Sequence, residues 1–469
     1  MISGRAVVCW RSAPKLRGAT YHLHYRRAQL FAADIRQRFH STSSFAHVAA
    51  AALRHHMSGS SRTWTPLLLL VAYSSLSACY SVVPLPDGVR PEGVTAGNDR
   101  DLWVACLSGA VVHVDLVSNT SCIVHREPGV ALSGAKFCPQ QQAVIAAGSL
   151  SGRVFIFHVH KASSGSSSSE GQQKQQYVVT KKEVVQLAKP ALSYINDVAL
   201  STDRAYFTDS FRAVIYSIPR FAAEASAAES SSSNSRNGSS DAARSRPVLR
   251  HSTGGYFATE LGQFRANGLA VYASSESADT LLVANTHTGN MYSVVVPKAA
   301  ATAAASKNGS ISSSSSSGSG NRSSQPRAAA AGHGLLGQLL LHGQQGPPAV
   351  VRELALPTIL GGKTSDRLLL DGVWVSNSSM AYVADNYNNR VWGLAVNASA
   401  MGVELSCLFE QPVLGVPTTL TLQQGLLWAV NAHLDTCFPF LPCPNHKFEV
   451  IGIDIEEECK PWPRLSSNS

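Results

Sequence analysis

The sequence predicts an all-β fold, a six-bladed β-propeller interrupted by low-complexity insertions, and three observations lead there. The first is a short head pattern, a polar residue followed by a small or acidic one and then an aliphatic or small one. It occurs as Glu92-Gly93-Val94, Ser133-Gly134-Ala135, Asn196-Asp197-Val198, Asn267-Gly268-Leu269, Asp371-Gly372-Val373 and Thr418-Thr419-Leu420. The second is a β-like run after several heads, as in Ala205-Tyr206-Phe207-Thr208-Asp209, Leu281-Leu282-Val283-Ala284-Asn285, Ala381-Tyr382-Val383-Ala384-Asp385 and Leu427-Trp428-Ala429-Val430-Asn431. The third is spacing. The heads lie 41, 63, 71, 104 and 47 residues apart, and removing three polar stretches of 16, 26 and 52 residues (161–176, 221–246 and 298–349) leaves 41, 47, 45, 52 and 47. A period of roughly 45 residues suits a four-stranded blade.

The N-terminal part has a different composition. Residues 1–63 carry ten Lys or Arg and one acid, Asp34, so the net charge of +9 resides there and the remainder sums to zero. The propeller therefore offers no basic footprint for nucleic acid. Met57 to Arg62 reads as a short basic region, Trp64 to Leu76 as an apolar one and Ser77 to Ser81 as a small-residue cleavage zone, so residues 1–81 form a basic leader with a signal peptide from Met57. The expectation is secretion, with organelle targeting through residues 1–45 as the alternative; the apolar run is too short for a membrane span. Six glycosylation sequons occur, at Asn119, Asn237, Asn308, Asn321, Asn377 and Asn397. Of nine cysteines, Cys437, Cys443 and Cys459 cluster near the C-terminus, where a disulfide would form in an oxidising compartment.

The propeller is expected over 82–460, with 461–469 as a tail. The last repeat provides three strands before its acidic, Pro-containing end, so the run Val82 to Leu85 is expected to supply the fourth and close the ring, with Pro84 suited to an edge. Blades one to five begin at Glu92, Ser133, Asn196, Asn267 and Asp371. The insertions consist of Ser, Ala, Gly, Gln and Asn with few large apolar residues. They are expected to be disordered and to leave from the face opposite the heads.

In a propeller the first strand of each blade lines the central channel, so the heads form a ring at one mouth. Two carboxylates, Glu92 and Asp371, and two amides, Asn196 and Asn267, would be costly to bury together without a positive charge between them. An oxygen donor set suits a hard divalent cation, Ca²⁺ first, with Mg²⁺, Mn²⁺ or Zn²⁺ as other candidates. A turn-capping role is the competing reading for any one head.

These residues resemble the gluconolactonase and regucalcin (senescence marker protein) family of six-bladed propellers, on Pro91-Glu92-Gly93, Asn196-Asp197, Ala266-Asn267-Gly268-Leu269 and Asp371-Gly372. The resemblance implies that Glu92, Asn267 and Asp371 hold a catalytic metal. It also implies that Asn196 contacts the metal through water or helps hold substrate, and that Asp371 is the general base. The implied activity is metal-dependent hydrolysis of small-molecule lactones or esters by a monomer; the alternative is a non-catalytic propeller that binds a ligand or protein at its mouth. Where sugar-lactone hydrolases carry an arginine two residues before the Asn-Asp pair, this chain has Tyr194, a departure that bears on sugar lactones as substrates. His287 and His433 follow second strands and are expected on loops at the same mouth, and Asp209 on a neighbouring loop.

Overall fold

A computed structural model of the chain describes residues 80–98, 100–162, 177–220, 246–257, 263–298, 344–356, 368–376, 380–397, 402–410, 413–436 and 446–458. All of them belong to the unit Cys79–Ser469. The strands assemble into six sheets, antiparallel except for one pair in blade three, and the sheets are the blades. Blade one contains β2 (Pro91–Ala96), β3 (Asp101–Cys106), β4 (Ala110–Asp115) and β5 (Thr120–Arg126). Blade two contains β6 (Ala135–Cys138), β7 (Ala143–Ala147), β8 (Arg153–Lys161) and β9 (Tyr177–Gln186). Blade three is built from β10 (Ile195–Leu200), β11 (Arg204–Asp209), β12 (Val214–Pro219) and β13 (Leu249–Ser252), and blade four from β14 (Ala266–Ser274), β15 (Ala278–Asn285), β16 (Asn290–Pro297) and β18 (Val350–Leu354). Blade five holds β19 (Leu370–Val375), β20 (Met380–Asp385), β21 (Arg390–Asn397) and β22 (Gly402–Glu410). Blade six holds β23 (Pro417–Gln423), β24 (Leu426–Asn431) and β25 (Glu449–Asp454).

Ring closure follows the sequence expectation. β1 (Tyr80–Pro84) pairs antiparallel with β25, from Tyr80 opposite Ile453 to Pro84 opposite Glu449, and is the outermost strand of blade six. The first and the last described strands thus share one sheet, and the proline, which has no N–H to give, lies on its outer edge.

Alternation along the strands explains the core. Successive side chains of β3 point to opposite faces: Leu102, Val104 and Cys106 pack toward blade six, whereas Trp103 and Ala105 pack toward blade two. Six apolar clusters result, one at each interface between neighbouring blades. Each second strand is buried on both faces, so the runs noted in the sequence are nearly continuous in apolar residues.

The expected insertions need correction at their edges. Lys161 ends β8, and Arg246 is buried, with its guanidinium 3.2 Å from Glu183 and 2.8–2.9 Å from the carbonyls of Arg220 and Pro219. Lys298 lies 2.9 Å from Asp203 and 3.1 Å from Asp279. Residues 344–349 are likewise described, and β17 (Gln344–Gln345) adds a fifth strand to blade three, parallel to β13. The rest of the insertions, 163–176, 221–245 and 299–343, lies outside the described residues, as do residues 1–79 of the expected leader and Cys437, Cys443 and Cys459, whereas Tyr80 and Ser81, expected at the end of the leader, belong to β1. No helix among the described residues is long and apolar enough to cross a membrane.

Candidate functional site

The six heads lie where the first strands begin, and the backbone there is irregular. A register shift interrupts the first ladder at Pro91/Gly93, Ile195/Val198, Ala266/Leu269, Leu370/Val373 and Pro417/Leu420, so five heads lie on or beside bulges, which re-aim side chains. In blade two, Ser133 and Gly134 precede β6 but still bond to β7 through Ala147.

The second head residue is small because each head touches the next. A Cβ on Gly93 would meet the Ser133 carbonyl oxygen, one on Gly268 the Asp371 carbonyl, and one on Gly372 the Thr418 carbonyl at 2.5 Å. Where Asp197 and Thr419 replace glycine, the side chain makes the connection instead. Asp197 accepts N–H bonds from Val198 and from Leu269 of the next blade, both at 2.8 Å. Thr419 Oγ1 donates to the Glu92 carbonyl at 2.8 Å and accepts from Val94 N–H at 2.7 Å, while Thr418 Oγ1 donates to the same carbonyl at 2.7 Å.

Glu92, Asn196, Asn267 and Asp371 are all buried in this ring, and the structure brings them into one interacting group. Asn196 Nδ2 donates to Asn267 Oδ1 at 2.6 Å and to Ser210 Oγ at 2.9 Å. Asn267 Nδ2 donates to Thr286 Oγ1 at 2.8 Å, and Asn386 Nδ2 donates to Asp371 Oδ2 at 3.0 Å. Glu92 Oε2 is buried with no hydrogen-bond partner. Burial, then the charges of Asp371 and Asp197, push the Glu92 carboxyl well above its ordinary range. Burial pushes Asp371 up to about 8, with the Asp197 charge adding to it and hydrogen bonds from Asn386 and Asn267 opposing it.

Three participants were missed in the sequence: Ser210, Thr286 and Asn386. Each directly follows the Asp or Asn that ends the second strand of its blade, at Asp209, Asn285 and Asp385, and each bonds the head of that blade. That shared position was the available signal. Asp197, read only as the second letter of a head, is a third acid acting on both Glu92 and Asp371.

The residues that end second strands have a common task. Asp209 Oδ1 accepts from Tyr194 and Phe211 N–H, Asp385 Oδ1 from Leu369 N–H, and Asn431 Oδ1 from Gly415 N–H, so each fixes the segment leading into its own head. This corrects the expectation for Asp209. It lies at the end of β11, fully buried, and not on a loop. Burial pushes its carboxyl up to about 6.

Tyr194 is buried in the segment that leads into β10. Its ring meets Phe264 at 4.9 Å and Phe211 at 5.6 Å between centroids, and Phe211 meets Phe264 at 5.2 Å. Burial, then the charge of Glu92 and, to a lesser degree, of Asp371 raise the Tyr194 phenol. His433 Nε2 lies 3.3 Å from Glu449 Oε1, with its ring 4.3 Å from that of His446, and His287 is half-buried.

Among the described residues no group of three or more His, Cys, Asp or Glu is arranged to hold a metal. The heads instead offer two carboxylates and two amides, with one carboxylate oxygen unpartnered.

No protein-family profile and no curated protein matches the chain. Solved structures of low identity do. A streptogramin B lyase aligns at 8% identity and a TM-score of 0.40, covering 80% of this chain and 98% of that one. A catalytically inactive virginiamycin B lyase from Staphylococcus aureus with quinupristin aligns at 9% and 0.39, covering 80% and 99%. The WD40 repeats of RRP9 align at 10% and 0.41, covering 81% and 98%.

Proposed function

We propose that the chain is a metal-dependent hydrolase of lactones or related esters, in the manner of the gluconolactonase group. The observation that carries the reading is the burial of two mutually repelling carboxyls, Glu92 and Asp371, with Glu92 Oε2 lacking any partner. A buried, unpartnered acceptor of this kind is costly, and a cation removes that cost. Glu92, Asn267 and Asp371 would hold a hard divalent ion, Ca²⁺ before Mg²⁺, Mn²⁺ or Zn²⁺, with Asn196 beside it. When bound, the ion supplies Lewis-acid polarisation of the acyl carbonyl.

The protein's own groups do the rest. Asp371, steadied by Asn386, takes a proton from the water that attacks the acyl carbon, and the acyl–oxygen bond breaks as the leaving oxygen regains a proton. Asn196 and Asn267, held by Ser210 and Thr286, are fixed against collapse into the channel. The protein is further proposed to be secreted. Cys407 is disulfide-bonded, which fits an oxidising compartment, and the sequon residues Asn119 and Asn397 are exposed.

The test is a panel of lactones and esters assayed with and without added divalent cation. Cation-dependent turnover that disappears in Asp371→Asn supports the reading, and turnover indifferent to chelation and to that substitution refutes it.

A further inference from the structure

We infer that the mouth takes a lactone or ester whose non-reacting part is apolar and carries a ring, and that Tyr194, Phe211 and Phe264 form the wall receiving it. The inference rests on the hydrolase reading for the reacting end of the substrate only.

The three rings come from three separate segments. Tyr194 leads into β10, Phe211 follows β11 and Phe264 leads into β14. Antiparallel pairing sets Ile195 opposite Asp209 and Ala266 opposite Asn285, so these segments all emerge at the end of the strands that bears the heads. Asp209 Oδ1 fixes two of them at once through the N–H groups of Tyr194 and Phe211. The wall and the heads are therefore positioned by the same ties.

Tyr194 is a buried core residue, whereas Phe211 and Phe264 are not, and none of the three belongs to the apolar clusters between blades. Tyr194 is nearly inaccessible, but Phe211 and Phe264 are only half-buried. Tyr194 stands two residues before the head residue Asn196, and Phe264 three residues before the head residue Asn267, so the wall adjoins two of the heads. Tyr387, next to the Asn386 that donates to Asp371, is 47% exposed, and Leu192, two residues before Tyr194, is 52% exposed.

Beside the heads the amides and hydroxyls of Asn196, Asn267, Ser210, Thr286 and Asn386 are engaged, while Glu92 Oε2 faces the proposed reacting end without a partner. Asn196 and Asn267 bond each other and the hydroxyls of Ser210 and Thr286, Asn386 bonds Asp371, and Arg212 Nε donates to the Leu192 carbonyl at 2.9 Å. A hydroxyl of a polyhydroxylated ring that is buried here without a partner gives up its bonds to water and gains none in exchange, which disfavours such a ligand relative to an apolar ring. An aromatic or alicyclic ring needs only edge or face contact with the exposed parts of Phe211 and Phe264.

Binding is read with α-tetralone, which keeps the fused ring and carbonyl of an aryl lactone but has no acyl–oxygen bond to break. It is titrated into the full chain by ligand-observed NMR. Saturable binding is expected, weakened about tenfold in Phe264→Ala or Phe211→Ala and retained in Phe264→Tyr. Circular dichroism identifies any variant that fails to fold, in which case the other alanine variant decides. No binding, binding by both alanine variants as tight as by the unaltered chain, or displacement by an excess of glucono-δ-lactone overturns the inference. The two readings fail separately. Tetralone binding without turnover of dihydrocoumarin refutes the hydrolase and leaves the wall, and turnover of glucono-δ-lactone without tetralone binding does the reverse.

Discussion

Asn196 donates a side-chain N–H to Oδ1 of Asn267 at 2.6 Å, joining the heads of blades three and four directly. The same amide reaches Ser210, whose hydroxyl in turn donates to the Ala266 carbonyl at 2.6 Å beside the next head. Asn196→Leu removes both donors and leaves two buried acceptors short of a partner. It should cost about 1–3 kcal/mol, read from the urea midpoint at unchanged slope. No loss of stability would mean that the amide pair is not formed in solution.

The head glycines give a sharper contrast. A Cβ on Gly372 would lie 2.5 Å from the Thr418 carbonyl oxygen and 2.6 Å from Thr419 Cα, backbone that cannot swing away, whereas one on Gly402 would meet nothing within 4 Å. Gly372→Ala should therefore destabilise by about 1–3 kcal/mol or more, and Gly402→Ala should stay within about 0.5 kcal/mol of wild type. Equal effects in thermal melts would contradict the close approach of the heads.

Closure by β1 predicts a threshold in N-terminal truncation. A chain beginning at Tyr80 keeps every pairing from Tyr80 opposite Ile453 to Pro84 opposite Glu449, and should melt like the longer protein. One beginning at Leu85 exposes the edge of β25 and should lose cooperative unfolding or self-associate, as judged by light scattering.

The fold was largely legible because blades repeat. Six heads, apolar second strands and a run before blade one that completes blade six carry the topology in local composition. The site was legible only as far as one strand reaches. Glu92, Asn196, Asn267 and Asp371 stand at repeat positions, but that Ser210, Thr286 and Asn386 support them depends on antiparallel register, which sets the end of one strand beside the start of another. Asp209 was misjudged for the same reason: its value lies in two backbone N–H groups, and no residue pattern displays those. The aromatic wall joins Tyr194 to Phe264 across 70 positions of sequence, over a distance that periodicity does not report.

Charge at the heads sets a pH dependence in protein freed of divalent ions. The Glu92 and Asp371 carboxyls are raised on folding, Asp371 to about 8, so the stability they contribute is complete below about pH 4 and is lost as pH rises toward 8. The melting temperature of chelated protein should fall across that window, and Asp371→Asn should flatten the fall. Added Ca²⁺ should restore the loss at the alkaline end. A flat profile in chelated wild type would show that the two carboxyls do not share one buried site.

The most direct measurement is calorimetric titration of divalent ions, Ca²⁺ first and then Mg²⁺, Mn²⁺ and Zn²⁺, into chelated protein at neutral pH. The account predicts one ion per chain, with affinity about tenfold or more weaker in both Glu92→Gln and Asp371→Asn, since each removes a charge from the same site. Absence of binding for all four ions, or binding unchanged in both variants, would contradict the metal site and the hydrolase built on it, leaving a propeller whose mouth binds a ligand without chemistry.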